Sequence, residues 1–256
     1  MSNSKKIVVI GGTGLIGAKA VTILRSAGHE AVAASPSNGI NAFTGEGLDN
    51  ALAGADAVID VSNMMSFDEP VIRNFFETSS LNLVAAEKAA GVQHHVVLSI
   101  VGTDDLVANP YMSGKQAQER AVKGSGQDYT IVRATQFYEF MDTVADAYTV
   151  EGSVRVPAID FQPIAADDVA AALVKVALDK PRNGTVDLAG PDRAPFETLM
   201  RTYLAARGDN RSVSADASLG YFGAPVHVGS LVPAAVPHRG DIILKAWLRS
   251  QQLETV

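Results

Sequence analysis

Ile7-Val8-Val9-Ile10-Gly11-Gly12-Thr13-Gly14-Leu15-Ile16-Gly17 decides how the rest of the chain is read. An apolar, β-branched run meets a cluster of glycines, and an amphipathic helical pattern follows over 15–27. The order is strand, tight turn, helix. Gly12 is expected to let the chain turn, Gly14 to let backbone approach a pyrophosphate, and Gly17 to let helix pack closely on strand. The helix N-terminus then offers N–H groups and a partial positive charge to phosphate oxygens. Gly11, Thr13, Leu15 and Ile16 complete the expected phosphate-binding turn. A Walker-type loop is excluded, because Gly17 is followed by Ala18-Lys19-Ala20.

Outward from this turn, strand and helix patterns alternate. Strand-like runs fall at 6–10, 30–34, 57–61, 95–100 and 130–134. Helical patterns fall at 15–27, 70–90 and 112–123, with a short one at 47–52. The strands are almost continuously apolar, as expected where helices cover both faces of a parallel sheet. The fold class predicted is α/β, a doubly wound parallel sheet of Rossmann type. Beyond Thr135 the rhythm loosens. Asp167-Asp168 is read as the cap of a helix running to about Leu178. A strand at 186–188, a helix at 196–206 and a terminal helix at 241–251 follow. Residues 212–237 show no clear period, and whether they form a lid stays open. The chain is read as a single domain, 1–256, in which about 150–256 supply a substrate-side region.

The chain has 256 residues, 47% hydrophobic and 19% charged, enough to bury a large core. Its net charge of −7 argues against nucleic-acid or anionic-membrane partners. There is no cysteine, which removes disulfide and thiolate chemistry. No apolar run approaches a membrane span, and the start, Met1-Ser2-Asn3-Ser4-Lys5-Lys6, leads directly into the first strand. A cytoplasmic location is the expectation. Gly-x-Ser-x-Gly does not occur, so a hydrolase nucleophile elbow is missing. His94-His95 is not read as a metal site: adjacent strand residues face opposite ways and no ligand set completes it.

Tyr111-Met112-Ser113-Gly114-Lys115 forms a second constellation. In a helix starting near Pro110, Tyr111 and Lys115 lie one turn apart on one face. A phenol with an ordinary pKa of about 10 is a poor proton-transfer group at neutral pH, and a neighbouring ammonium lowers that value. Tyr111 then exchanges a proton with a substrate oxygen while hydride moves to or from a nicotinamide. Lys115 has a second expected role on the nicotinamide ribose, and Ser99, at the end of its strand, is expected to hold the reacting carbonyl.

With these residues in place, the chain resembles the atypical short-chain dehydrogenases/reductases, near the NmrA-like and NAD(P)H quinone-reductase-like members. The matching stretches are Gly11–Gly17, Val97-Leu98-Ser99-Ile100, Tyr111-x-x-x-Lys115, Tyr129-Thr130-Ile131-Val132-Arg133-Ala134 and Asp167-Asp168-Val169-Ala170. The resemblance implies a Rossmann fold with bound NAD(P) and substrate contacts from the C-terminal region. The complete Ser/Tyr/Lys set favours an enzyme reducing a carbonyl or quinone. The alternatives are an NAD(P)-sensing protein without turnover and, third, a sugar-nucleotide epimerase.

Cofactor choice turns on Ala33-Ala34-Ser35-Pro36-Ser37-Asn38. NAD-preferring folds place an acid here, and none occurs between Glu30 and Glu46. No cation occurs between Arg25 and Arg73. Ser35 and Ser37 are therefore expected to meet a 2′-phosphate, with Lys19 or Arg25 reaching over from the neighbouring helix. NADP is favoured and NAD is tolerated. Ser62 and Asn63 are read as lining the dinucleotide or simply ending the third strand, and 44–48 as bordering adenine. Arg133, Gln136 and Phe137 are expected to face substrate, with Gln162-Pro163 as a further edge.

Overall fold

The computed structural model describes residues 4–66, 68–235 and 238–253. The first half alternates strictly: β1 (Lys6–Ile10), α1 (Leu15–Ser26), β2 (Glu30–Ala34), α2 (Leu48–Leu52), β3 (Ala57–Asp60), α3 (Glu69–Ala90), β4 (His94–Ile100), α4 (Pro110–Gly124) and β5 (Tyr129–Ala134). Then come α5 (Met141–Ala147), β6 (Thr149–Val150), β7 (Ser153–Pro157), β8 (Asp160–Phe161), α6 (Ala166–Leu178) and β9 (Gly184–Ala189). The last elements are β10 (Ala194–Pro195), α7 (Phe196–Ala206), β11 (Ser212–Asp216), β12 (His238–Arg239) and α8 (Leu244–Leu253). Two compact units result. One comprises residues up to Ser99, 110–133 and 169–186; the other comprises 100–109, 134–168 and 187 onward.

The first unit is a twisted parallel sheet in the order β9-β5-β4-β3-β1-β2. Val8 and Ile10 of β1 share a core with Val58 of β3 and with Leu48, Leu52 and Leu83 from α2 and α3. Ile7 and Val9 are equally buried and alternate to the opposite face. Burial on both faces is why these strands read as unbroken apolar runs. β1 pairs with β2 on one side and β3 on the other, both in parallel. The winding therefore reverses at β1, and the C-terminal ends of β1 and β3 flank the crevice where ligands bind in open α/β sheets.

The adjacent histidines are core residues. His95 Nδ1 lies 2.8 Å from Glu87 Oε1, and His94 Nε2 lies 2.9 Å from Thr130 Oγ1. Burial, reinforced by His95, lowers the His94 pKa to about 4.

The second unit carries a small sheet, β11-β7-β6, in which β7 pairs parallel to β11 and antiparallel to β6. Phe161 and Phe196 stack at 4.1 Å in its core. β12 pairs in parallel with the end of β9. Strand β11 falls in the stretch that shows no period in sequence; Val236 and Pro237 of that stretch lie outside the described residues. α6 starts at Ala166, so Asp167 and Asp168 sit in its first turn and are not its cap. Glu139 takes the capping role, its two carboxylate oxygens accepting the Ala166 N–H at 3.1 and 3.2 Å. Asp168 Oδ2 instead accepts the Ile242 N–H at 3.0 Å. Among the described residues, no helix is long and apolar enough to cross a membrane.

Candidate functional site

The glycine turn closes over the end of β1 by backbone contact. Gly11 has φ +79°, a conformation that side-chain-bearing residues rarely adopt, and a Cβ there would lie 2.8 Å from the Val61 carbonyl oxygen. Gly11, rather than Gly12, thus supplies the positive φ of the turn. Gly12 is needed for close approach to β2: an added Cβ would sit 2.6 Å from Ala33 Cα. Gly17 lies under the turn, where a Cβ would meet the Gly11 oxygen at 2.1 Å.

Gly14 differs from all three. It caps α1 in an extended conformation and is exposed, as are Thr13 and Leu15, whereas Ile16 is buried. No side chain caps this helix start and no acidic residue stands in its first turn. Its leading N–H groups have no partners within the helix, by helix geometry. Ser62 Oγ, just past β3, is buried without a hydrogen-bond partner among the described residues, and the Ser62 backbone nitrogen lies 3.1 Å from where a Gly11 Cβ would be. An uncapped helix start beside an orphaned buried hydroxyl suits a phosphate-bearing ligand.

At the end of β2 the two serines separate. Ser35 is buried, and its hydroxyl lies 2.7 Å from Ser37 Oγ and 3.3 Å from Asn38 Oδ1. The Ser35 N–H donates to the same Asn38 oxygen at 2.9 Å. Ser37 is exposed. Arg25 is directed elsewhere: its guanidinium donates to the Ala31 carbonyl, three residues back from the C-terminal end of β2.

Helix α4 begins at Pro110, which puts Tyr111 and Lys115 on successive turns. Gly114 lies between them and allows contact with α3, since a Cβ there would fall 2.8 Å from Phe76 Cδ2. Phe76 contacts both residues of the pair. The Tyr111 ring meets it edge-on at 5.8 Å, and Lys115 Nζ lies 4.6 Å from its centroid. The Tyr111 hydroxyl donates to Asn63 Oδ1 at 2.8 Å, which brings the phenol to the end of β3. Burial holds this phenol above the ordinary tyrosine pKa, against the lowering expected from Lys115, so its neutral form prevails. Lys115 donates to the Leu98 carbonyl at 2.7 Å and to Gln118 Oε1. Burial lowers its pKa to about 8, opposed by the charges of Asp60 and Glu119.

Ser99, expected to hold the reacting carbonyl, is engaged with a carboxylate. It is 1% exposed, and its hydroxyl donates to Glu119 Oε1 at 2.7 Å. Arg133 grips the same carboxylate through Nε at 2.8 Å and Nη2 at 2.7 Å, and Lys123 reaches it at 2.9 Å. Burial alone would raise the Glu119 pKa; the bonds from Arg133, Ser99 and Lys123 outweigh it and hold the carboxyl below its usual range. Ser99 and Arg133 therefore belong to one buried knot about Glu119. In the second unit, the Gln136 side-chain amide is buried with neither nitrogen nor oxygen partnered among the described residues, and Phe137 stacks on Phe140 at 5.8 Å.

Glu119, Gln118 and Phe76 are residues that sequence reasoning overlooked, and Asp60 gains a partner on α4 that its strand-end position did not announce. The helix period was the available signal for two of them, because Gln118 and Glu119 lie three and four residues beyond Lys115 on its own face.

A glycine turn between β1 and α1, at the point where the sheet's winding reverses, defines a dinucleotide-binding protein of Rossmann type. The pattern of the NAD(P)H-binding family matches residues 11–180, and the chain belongs to that family. Its cofactor is a nicotinamide dinucleotide. The chain is 28% identical over 173 residues to the photosystem II assembly factor Ycf39 of Synechocystis, covering 62% of this chain and 50% of that protein. It thus spans half the length of that relative. It is 29% identical over 222 residues to the NAD(P)H azoreductase of Xenophilus azovorans, covering 79% of this chain and 74% of that one. Among solved structures, a short-chain dehydrogenase/reductase superfamily protein from Agrobacterium tumefaciens with bound NAD shares the fold, with TM-score 0.70, 17% identity and 98% of each chain covered.

Proposed function

We propose that the protein is an NAD(P)H-dependent reductase of a carbonyl or quinone, with Tyr111 as proton donor. The observation that carries this reading is the Tyr111–Asn63 bond, which sets the phenol at the same strand ends as the glycine turn and Ser62. Gly11, Gly12, Thr13, Gly14 and the start of α1 would hold the pyrophosphate, with Ser62 lining it. A bound reduced nicotinamide supplies hydride to the electrophilic carbon. Tyr111, kept neutral by burial, gives its proton to the substrate oxygen, so carbonyl becomes alcohol and quinone becomes hydroquinone. Lys115 is proposed to hold the nicotinamide ribose, and solvent returns the proton to Tyr111. Ser99 we assign to holding Glu119. Gln136 and Phe137, with the region from about residue 150, are proposed for the substrate side. The similarity to an azoreductase supports a two-electron reductase and adds azo compounds to the substrates worth assaying.

The test is oxidation of NADPH and NADH against a panel of ketones, aldehydes, quinones and azo dyes, with cofactor affinity measured in parallel. Turnover on a panel member is the expected result. Tight cofactor binding with no turnover on any of them would favour the second reading, an NAD(P)-sensing protein. Two observations lend that reading weight: the engagement of Ser99 with Glu119, and the similarity to an assembly factor.

Cofactor preference is proposed as NADPH over NADH. Ser37, exposed where Ser35 is buried, is the position from which to test it. Ser37→Asp is expected to weaken NADPH relative to NADH by roughly tenfold, the scale of one carboxylate–phosphate repulsion near a surface. Competition binding with both cofactors measures this, and a wild-type preference for NADH would refute the assignment.

A further inference from the structure

Lys115 is 3% exposed, and an ammonium in such a place deprotonates unless its charge is met. The structure meets it through a chain of side chains. Gln118, one turn along α4, accepts from Lys115 at Oε1 and donates from Nε2 to Asp60 Oδ2 at 2.8 Å. The orientation of this amide is forced, since a carboxylate only accepts and an ammonium only donates. Asp60, 1% exposed at the end of β3, accepts the Ser62 N–H on its other oxygen at 2.9 Å. The next residue, Asn63, holds the Tyr111 hydroxyl. The bonds thus close a ring: Tyr111 to Asn63, along the backbone to Ser62, to Asp60, to Gln118, to Lys115 and back along α4. Glutamine suits the middle position because its planar amide accepts at one atom and donates at the other, and its reach spans from Lys115 to Asp60.

We propose that Asp60 and Gln118 are positioning residues for Lys115, a buried carboxylate–amide relay that keeps the ammonium charged and fixed beneath Tyr111 and the strand-end loop. The proposal rests on the reductase reading only for what Lys115 does, not for how it is held. The other carboxylates of α3 and α4 near this site have cations of their own. Glu119 on α4 also raises the Lys115 pKa but is shared with Arg133 and Lys123, and Glu87 of α3 is paired with His95 of β4. Phe76, the α3 side chain over the ammonium, carries no charge. The Asp60 carboxylate is left as the counter-charge that Lys115 reaches through the amide.

The experiment is a carbon-13 NMR titration of lysine-labelled protein from about pH 6 to about pH 10, with the Lys115 signal assigned by Lys115→Arg. Wild type is expected to titrate near 8. Asp60→Asn and the near-isosteric Gln118→Met are each expected to titrate lower, by about one pH unit. NADPH affinity, followed by cofactor fluorescence over the same range, should weaken at correspondingly lower pH in both variants. A Lys115 midpoint that stays put in either folded variant overturns the relay and leaves Asp60 and Gln118 as packing residues. The two readings separate cleanly. A shifted midpoint without turnover in wild type keeps the relay and sinks the reductase. Turnover with an unshifted midpoint does the reverse.

Discussion

Tyr111→Phe is expected to leave the protein folded and able to bind cofactor while turnover falls by about 10²–10⁴, the usual worth of a positioned general acid. The substitution removes one oxygen and keeps the ring that packs edge-on against Phe76. The bond to Asn63 is lost, and Asn63 is exposed, so its amide passes to water and is not stranded in the core. Stability should therefore change by no more than about 0.5–1 kcal/mol. Phe76, fully buried, and Gly114, which lets α4 approach it, hold the ring in place whether or not the hydroxyl is present. Steady-state turnover on the best substrate of the panel, with cofactor affinity and thermal unfolding for the same variant, makes the comparison. Wild-type turnover from Tyr111→Phe would eliminate Tyr111 as the acid.

Much of the fold was readable because its signals are local. β1, the glycine turn and α1 occupy consecutive residues, and a strand buried on both faces shows itself as an unbroken apolar run. The glycines were assigned as a group, but their separate duties depend on what lies opposite each. Ala33 faces Gly12 and Val61 faces Gly11, and neither is adjacent in sequence. The start of α6 escaped for the same reason. A pair of aspartates at 167–168 looks like a cap, yet the cap is Glu139, twenty-seven residues upstream. Strand β11 has no buried residue, and its partner β7 lies some sixty residues earlier, so no local period announces it.

The site divides likewise. Tyr111 and Lys115 are visible as a helical spacing. Ser99 and Arg133 were expected to face ligands, and the structure shows them competing for one buried carboxylate on α4. A serine or arginine near a strand end has the same appearance in sequence whether it meets substrate or a neighbouring glutamate. Only burial and the partner distinguish the two.

Gly14→Val is expected to abolish nicotinamide dinucleotide binding in a protein that still folds. Its backbone, φ −82° and ψ −179°, suits a β-branched residue. A Cβ there meets only the Gly11 oxygen, at 3.3 Å, which asks the neighbour to give by a few tenths of an ångström. Valine is a poorer helix cap than glycine, so a stability cost of about 1 kcal/mol is anticipated. The added methyls would stand on the exposed side of the turn, over the leading N–H groups of α1, where the pyrophosphate must approach. Affinity should drop at least about 100-fold, equivalent to ~2.7 kcal/mol. Gly12→Val and Gly17→Val provide the contrast. Their side chains would enter backbone at 2.6 and 2.1 Å, and loss of the fold itself is the expected result. Calorimetric titration with NADPH and NADH, alongside circular dichroism of each variant, separates blocked binding from lost folding. A folded Gly14→Val protein with undiminished affinity would show that the phosphates bind elsewhere, and the assignment of the glycine turn as their cradle would fall with it.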